Sequence, residues 1–395
     1  MAEPTVLRSS VPFEPKEVRT TAAARIPALD GLRGIAILQV LLWHGLFDNH
    51  ATSSPEPGFW SLLHLTWSGV DLFFVLSGFL IGGILLDAKE SPRYFATFYL
   101  RRAYRILPVY GVAVGIYALR YLPVESLHRW AGATSIPLGA YFSFMQNFWM
   151  AAKGTWGTVG LAATWSLAIE EQFYLVAPLL VRRFSRAKLV YVLSAFALLA
   201  PMLRAGLLLG FHLNCLTAYV LMPCRADALC LGMLSAILVR DARVWGFLRR
   251  NRLILYWVTL GTLAGVLGLG YQGYTFCDRA MAVVGYSLLA FFYSCCLFIA
   301  LAKTPVAQRL LCDKRLIRLG GISYCVYLVH LPLIEGCRYL LEMWLLRLGV
   351  DSPQSHRISV LPGAILGITL ALVIAELSWW LLEQPMIRRG HAHQY

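Results

Sequence analysis

The sequence has little charge: Asp, Glu, Lys and Arg make up 14% of its 395 residues, while 58% are hydrophobic and the mean hydropathy is +0.62. Roughly a quarter of the residues in a soluble domain are charged, so a chain of soluble domains is excluded. Acid is scarcer than base, with 21 Asp+Glu against 35 Lys+Arg. The basic residues do not gather into one patch and no nucleic-acid-binding motif accompanies them, so nucleic acid is not an expected partner. The nine cysteines include no CxxC pair and lie mostly inside or at the edges of apolar runs. They read as packing residues rather than disulfides or metal ligands. There is no Gly-rich phosphate loop, internal repeat or low-complexity tract. The first 27 residues lack the apolar core of a signal peptide.

What the chain does have is long apolar runs. Ten spans of about 20 residues would absorb about half of it. Runs at 29–49, 60–86, 106–122, 165–181, 189–210, 222–240, 253–270, 280–301, 319–346 and 359–382 supply them. The fold class is therefore all-α, a polytopic membrane helical bundle of about ten transmembrane helices. With the N-terminus in the cytoplasm, the basic clusters at 89–105, 182–188, 240–252 and 303–318 all fall inside, leaving Arg129, Lys153, Arg279, Arg347 and Arg357 outside. A missed or added span would invert the later loops, so both termini are expected in the cytoplasm. The organisation read from this is a cytoplasmic N-terminal tail (1–27), a membrane domain (28–388) and a C-terminal tail (389–395). Within the long outer loop 123–164, the apolar stretch 138–150 is too short to cross. It is expected to lie at the membrane surface or to re-enter over an outer cavity.

Charged residues remain inside or at the edges of the spans: Arg33, Asp71, Glu170, Glu171, Arg225, Asp227, Glu335, Glu376 and Glu383, with His44 and His330. Each charge near the bilayer centre costs about 2.5 kcal/mol or more, so such groups face the protein interior and pair or work there. Arg120, Arg204 and Arg338, near expected span ends, read as structural pairs or as snorkelling side chains. Arg33 and His44 are eleven residues apart on the first span. On a helix that separation is about three turns plus 20°, with a rise of about 16.5 Å, so both project from one stripe at different depths. An arginine near the cytoplasm suits a phosphate-bearing ligand, and a deeper histidine suits a general base.

The first span resembles the signature of the integral-membrane acyltransferase-3 family, an Arg and a His separated by ten residues, here Arg33 and His44. The resemblance continues through Gly69-Val-Asp71-Leu-Phe-Phe-Val-Leu-Ser77-Gly78-Phe, Arg101-Arg102-Ala-Tyr-Arg105-Ile-Leu-Pro108 and Thr164-Trp165-Ser166-Leu-Ala-Ile-Glu170-Glu171-Gln172-Phe173-Tyr174. Arg225-Ala-Asp227, Ile322-Ser323-Tyr324-Cys-Val-Tyr327-Leu-Val-His330 and Glu383-Gln384-Pro385 complete it, so that it covers about residues 25–388. The resemblance implies O-acylation of a sugar or glycan-like acceptor at the outer side of the membrane, from cytoplasmic acyl-CoA as co-substrate. Acetyl-CoA is the default donor, no metal is implied, and the location implied is the plasma (inner) membrane of a bacterium. The Arg–His motif is the family's catalytic element, and its Arg-x-x-Arg motif, here Arg102 and Arg105, is associated with the donor. The family often carries an added extracytoplasmic esterase-like domain; none is expected here, and a partner protein or homo-oligomer is a possible companion beside the surrounding membrane lipids.

The residues themselves fit that chemistry. Arg102 and Arg105 are neighbours on a helix face at a cytoplasmic mouth and, with Arg33, suit the phosphates of CoA. His44 is the expected general base or acyl carrier, oriented by Glu170 or, next, Asp71. Tyr324, Arg225 and Asp227 are the candidate substrate contacts, and no metal site is expected. An acyltransferase acting on a lipid or a small-molecule glycoside is the alternative, and a membrane transporter a more distant one, since no paired halves are present.

Overall fold

The computed structural model describes residues 26–47, 56–119 and 136–395. Among them no strand occurs, and helices stand at all ten positions expected for spans. In chain order these are α1 (Pro27–Leu42), α2 (Gly69–Asp87), α3 (Tyr94–Ala118), α4 (Leu138–Phe142), α5 (Gln146–Lys153), α6 (Thr164–Arg183), α7 (Arg186–Ala205) and α8 (Cys215–Val220). There follow α9 (Ala226–Leu238), α10 (Ala242–Arg250), α11 (Arg252–Tyr271), α12 (Tyr286–Leu301), α13 (Pro305–Leu311), α14 (Lys314–Arg347), α15 (Ser352–Ser378) and α16 (Gln384–His391). The expected N-terminal tail, apart from its last two residues, and Arg120 lie outside the described residues.

Six stretches are long and apolar enough to cross a membrane: Trp60–Asp87, Arg186–Gly210, Arg252–Tyr271, Met281–Leu301, Lys314–Arg347 and Ser352–His391. A seventh is added if the pair Met222–Leu238 and Ala242–Arg250, bent by 95°, counts as one. Helices α1, α3 and α6 are not among them. Asp30 and Arg33 on α1, Arg101, Arg102 and Arg105 on α3, and Glu170 and Glu171 on α6 dilute their apolar runs, and several of these side chains build the site described below.

Local sequence explains where the helices start. Ser185, Asp241, Thr304, Asp313 and Asp351 each accept a hydrogen bond from a backbone N–H of the following first turn, which satisfies donors that a helix leaves unpaired. Pro27 opens α1 at a position where a missing N–H costs nothing.

The centre of the bundle is held by glycines. A Cβ on Gly78 of α2 would stand 2.0 Å from the Leu229 carbonyl oxygen of α9, and one on Gly232 of α9 would stand 2.1 Å from that of Val75. Gly320 of α14 meets the Asp30 carbonyl of α1 in the same way, at 1.9 Å. Small residues let helix backbones close to this distance where lipid gives no hydrophobic drive for association. The most apolar window of α2 is 78% buried and that of α11 only 17%. Thus α2 is central and α11 peripheral.

One expectation changes here. Cys215 and Cys277 form a disulfide, with Cα atoms 5.1 Å apart and a separation of 62 in sequence. Reading all the cysteines as packing residues fails for this pair because only folding brings the start of α8 against the segment before α12. The helix α16 ends at His391, and the residues that follow it lie against α3. Arg101 donates to the His393 carbonyl at 2.6 and 2.9 Å, Thr97 donates to that of Gln394 at 2.9 Å, and Tyr104 stacks on the His393 ring.

Candidate active site

Two cavities lie in line along the bundle. The first takes Arg33 from α1, Arg102 and Arg105 from α3, Glu170 and Tyr174 from α6, and Ser323 and Tyr324 from α14. Its shaft is apolar, made of Phe73, Leu76, Leu80, Ile81 and Ile84 of α2 with Ile106, Leu167 and Leu328. It holds about 1070 Å³ of empty space, counting its mouth. Arg33 donates to Ser323 Oγ at 3.2 Å and lies 3.7 Å from Asp30 one turn earlier. Ser77 Oγ lies 2.5 Å from the Tyr174 hydroxyl, which donates to Glu170 at 3.1 Å. A chain of hydrogen bonds therefore runs from α2 to the Glu170 carboxylate. Three guanidinium groups above an apolar shaft suit a ligand with an anionic head and a less polar arm.

The second cavity lies beyond the first and holds about 1100 Å³ of empty space on the same measure. His44 opens into it from a π-helical turn, Trp43–Phe47, that ends α1. Such turns loosen the backbone ladder and recur at functional sites. Arg338, itself 5% exposed, donates to the carbonyls of Gly45 at 2.7 Å and His44 at 3.2 Å, and its other nitrogen pairs with Glu335 at 2.5 Å. The turn's carbonyls are thus held from α14. His330 Nδ1 donates to the Tyr327 carbonyl at 2.7 Å, which leaves its Nε2 as an acceptor 3.3 Å from His44 Nδ1. His44 Nδ1 is also 3.0 Å from the Val40 carbonyl. Both neighbours call for a proton on Nδ1, so the lone pair of His44 sits on Nε2.

Aromatic rings make up much of the remaining wall: Trp43, Trp67, Trp156, Trp165, Tyr219 and Phe276. Gly157, at φ 72°, turns the loop that carries Trp156, in a backbone region that favours glycine. Val70 and Tyr327 line both cavities. The Tyr327 hydroxyl lies 2.7 Å from Ser166 Oγ on the side of the first cavity. Among the described residues no group of three or more His, Cys, Asp or Glu is placed to hold a metal ion.

An acyltransferase domain model, that of the acyltransferase-3 family, matches residues 26–379, which takes in both cavities. The chain belongs to the acyltransferase-3 family. It is a bacterial integral membrane protein. Among its relatives are the peptidoglycan O-acetyltransferase OatA of Listeria monocytogenes, 28% identical over 95% of this chain and 58% of that one, and the O-acetyltransferase OatA of Staphylococcus aureus, 24% identical over 92% and 58%. The putative peptidoglycan O-acetyltransferase YrhL of Bacillus subtilis is 33% identical over 46% of this chain and 28% of its own. The chain thus spans less than two thirds of the length of these curated relatives. No solved structure matches it.

In this acyltransferase-3 domain the residues singled out from sequence divide into three places. Arg33, Arg102, Arg105, Glu170 and Tyr324 line the first cavity, where the Tyr324 hydroxyl donates to the Ile106 carbonyl at 2.8 Å. His44 lines the second cavity. Asp71, Arg225 and Asp227 line neither. Asp71, 1% exposed, binds Arg225 at 2.5 Å, and Arg225 lies against the rings of Tyr286, Tyr219 and Phe74. Asp227 pairs with Arg204 at 2.9 Å and accepts from Ser287 at 2.6 Å. Arg225 and Asp227 stand at the junction of a 3₁₀ turn with α9, so each faces a different neighbour. The structure brings His330 to His44, and leaves Glu170 with Tyr174 and Asp71 with Arg225. Trp165 and Tyr174, to which the sequence assigned no role in the chemistry, each line a cavity. Phe276 and Tyr219 carried no motif signal.

Proposed function

We propose that this protein transfers an acyl group, acetyl in the simplest case, from cytoplasmic acyl-CoA to a hydroxyl of a cell-envelope glycan on the outer side of the membrane. One observation carries the reading. A cavity headed by three arginines and a cavity holding an oriented imidazole share the wall formed by Val70 and Tyr327.

Arg33, Arg102 and Arg105 bind the phosphates of the donor by charge-assisted hydrogen bonds, and the apolar shaft takes the arm that ends in the thioester. In the aromatic cavity, Nε2 of His44 removes the proton of the acceptor hydroxyl as its oxygen attacks the thioester carbonyl carbon. The C–S bond breaks, an ester forms on the glycan, and the CoA sulfur leaves with a proton as the free thiol. His330 and Arg338 position His44. The positive-inside distribution of loop charge supports this orientation with both termini in the cytoplasm. So does the Cys215–Cys277 disulfide at the His44 end, since disulfides persist in oxidising compartments. The printed names of the relatives, peptidoglycan O-acetyltransferases, support a glycan acceptor, and the aromatic lining favours a sugar ring over a lipid chain.

The test is thiol release from acetyl-CoA by the purified protein in the presence of an N-acetylglucosamine tetrasaccharide. The expected result is release that needs both substrates, with acetyl ester on the sugar. Uptake of either substrate without ester formation identifies a transporter instead.

A further inference from the structure

Two rings of the aromatic wall of the outer cavity, Tyr219 and Phe276, come from segments far apart in sequence that one covalent bond joins. Tyr219 lies one turn after Cys215 on α8, so the two share a helix face. Phe276 is the residue before Cys277. The rings of Tyr219 and Phe276 meet with centroids 4.9 Å apart, and each also meets Trp156, at 5.9 and 6.1 Å. Trp165 closes on Tyr219 at 4.5 Å. The segment carrying Phe276 also takes the Tyr286 hydroxyl on the Phe276 carbonyl at 2.5 Å and Asp278 on Thr275, and the Phe276 ring meets Trp43 and Trp67 at 6.2 and 6.3 Å. The hydrogen bonds hold that segment onto α12 and onto itself, whereas the disulfide ties it to α8.

We propose that the Cys215–Cys277 disulfide is the clamp that shapes the acceptor site, and that the ring pair it holds together, Tyr219 and Phe276, takes one face of a sugar ring. The C–H face of a pyranose packs on the electron-rich face of an aromatic ring while its hydroxyls stay at the edge, where one of them reaches His44. This rests on the outer cavity being the acceptor site. The donor arginines lie in the other cavity, so opening the disulfide acts on acceptor affinity and leaves donor affinity alone.

The experiment uses the full-length protein in lipid nanodiscs. Dithiothreitol opens the disulfide of the folded protein: two electrons and two protons pass to the cysteines, which become thiols, as the reagent closes to its own ring disulfide. Mass spectrometry after alkylation verifies the opening, and a Cys215→Ser/Cys277→Ser variant provides the same state without reagent. The readouts are the KM values for the N-acetylglucosamine tetrasaccharide and for acetyl-CoA. The expected result is a rise of about tenfold or more in the glycan KM, reversed by reoxidation of the reduced protein, with the acetyl-CoA KM changed less than about twofold. An unchanged glycan KM after verified opening overturns the clamp, and so does an equal rise in both constants. Tyr219→Ala and Phe276→Ala in the oxidised protein separate the two levels. If they raise the glycan KM while reduction does not, the clamp alone fails. If they leave it unchanged, the acceptor reading of the cavity fails with it.

Discussion

His330 Nε2 lies 3.3 Å from His44 Nδ1, across 286 residues of sequence. The contact joins the turn that ends α1 to α14 and, with the Val40 carbonyl, fixes which nitrogen of His44 carries the lone pair. His330 touches no part of the acceptor in this scheme and acts as a positioning residue. Replacing it with Ala removes one of the two acceptors, the other being the Val40 carbonyl, that hold the His44 ring and its tautomer. We expect kcat to fall about 10²-fold, within the range for losing an oriented base, while KM for both substrates changes little. Steady-state kinetics check this, and a Gln at the same place, which keeps a side-chain oxygen acceptor, should recover part of the loss. A change confined to KM would place His330 in binding instead.

The arginine pair on α3 makes a different prediction. Charge-assisted hydrogen bonds to a phosphate are worth about 1.5–3 kcal/mol each. Arg102→Ala with Arg105→Ala should therefore raise the acetyl-CoA KM by about 10²-fold or more, with a smaller effect on kcat. The wild-type constant should also weaken with added salt, and the variant's should respond less. An unchanged acetyl-CoA KM removes these residues from the donor site.

Asp71 and Arg225 test stability rather than chemistry. Both are almost fully buried, and Asp71 Oδ2 has no partner among the described residues. Removing one partner of a buried pair leaves an uncompensated charge and costs about 3–5 kcal/mol, whereas replacing both with apolar residues is often close to neutral. Asp71→Leu alone should lower the melting temperature and the folded yield sharply. Asp71→Leu with Arg225→Met should recover most of both, as thermal unfolding in detergent will measure. Equal losses in the single and double variants would contradict the pair's structural role.

Much of the architecture was legible because the bilayer dictates it. Apolar runs of about 20 residues set helix positions, and loop arginines and lysines set the expected direction of each. The Arg33–His44 spacing was legible for the same reason, and the two side chains do open into successive cavities. Contacts between distant helices were not. Asp71 and Glu170 had the right depth to face His44, but depth does not give rotation about the helix axis. Glu170 turns to Tyr174, Asp71 meets Arg225 154 residues away, and the π turn at Trp43–Phe47 changes the direction of His44 itself. Tyr219, Phe276 and the disulfide beside them belong to short segments with no periodic pattern to mark them.

The central claim is that acyl groups pass from a donor bound among the arginines to an acceptor beside His44 on the opposite face of the membrane. It is tested most directly in sealed vesicles carrying the protein, with radiolabelled acetyl-CoA inside and the N-acetylglucosamine tetrasaccharide outside. The account predicts alkali-labile label on the external sugar, lost when His44 is replaced by Ala in protein that still binds acetyl-CoA. Label reaching the sugar at the same rate in the His44→Ala protein would contradict it.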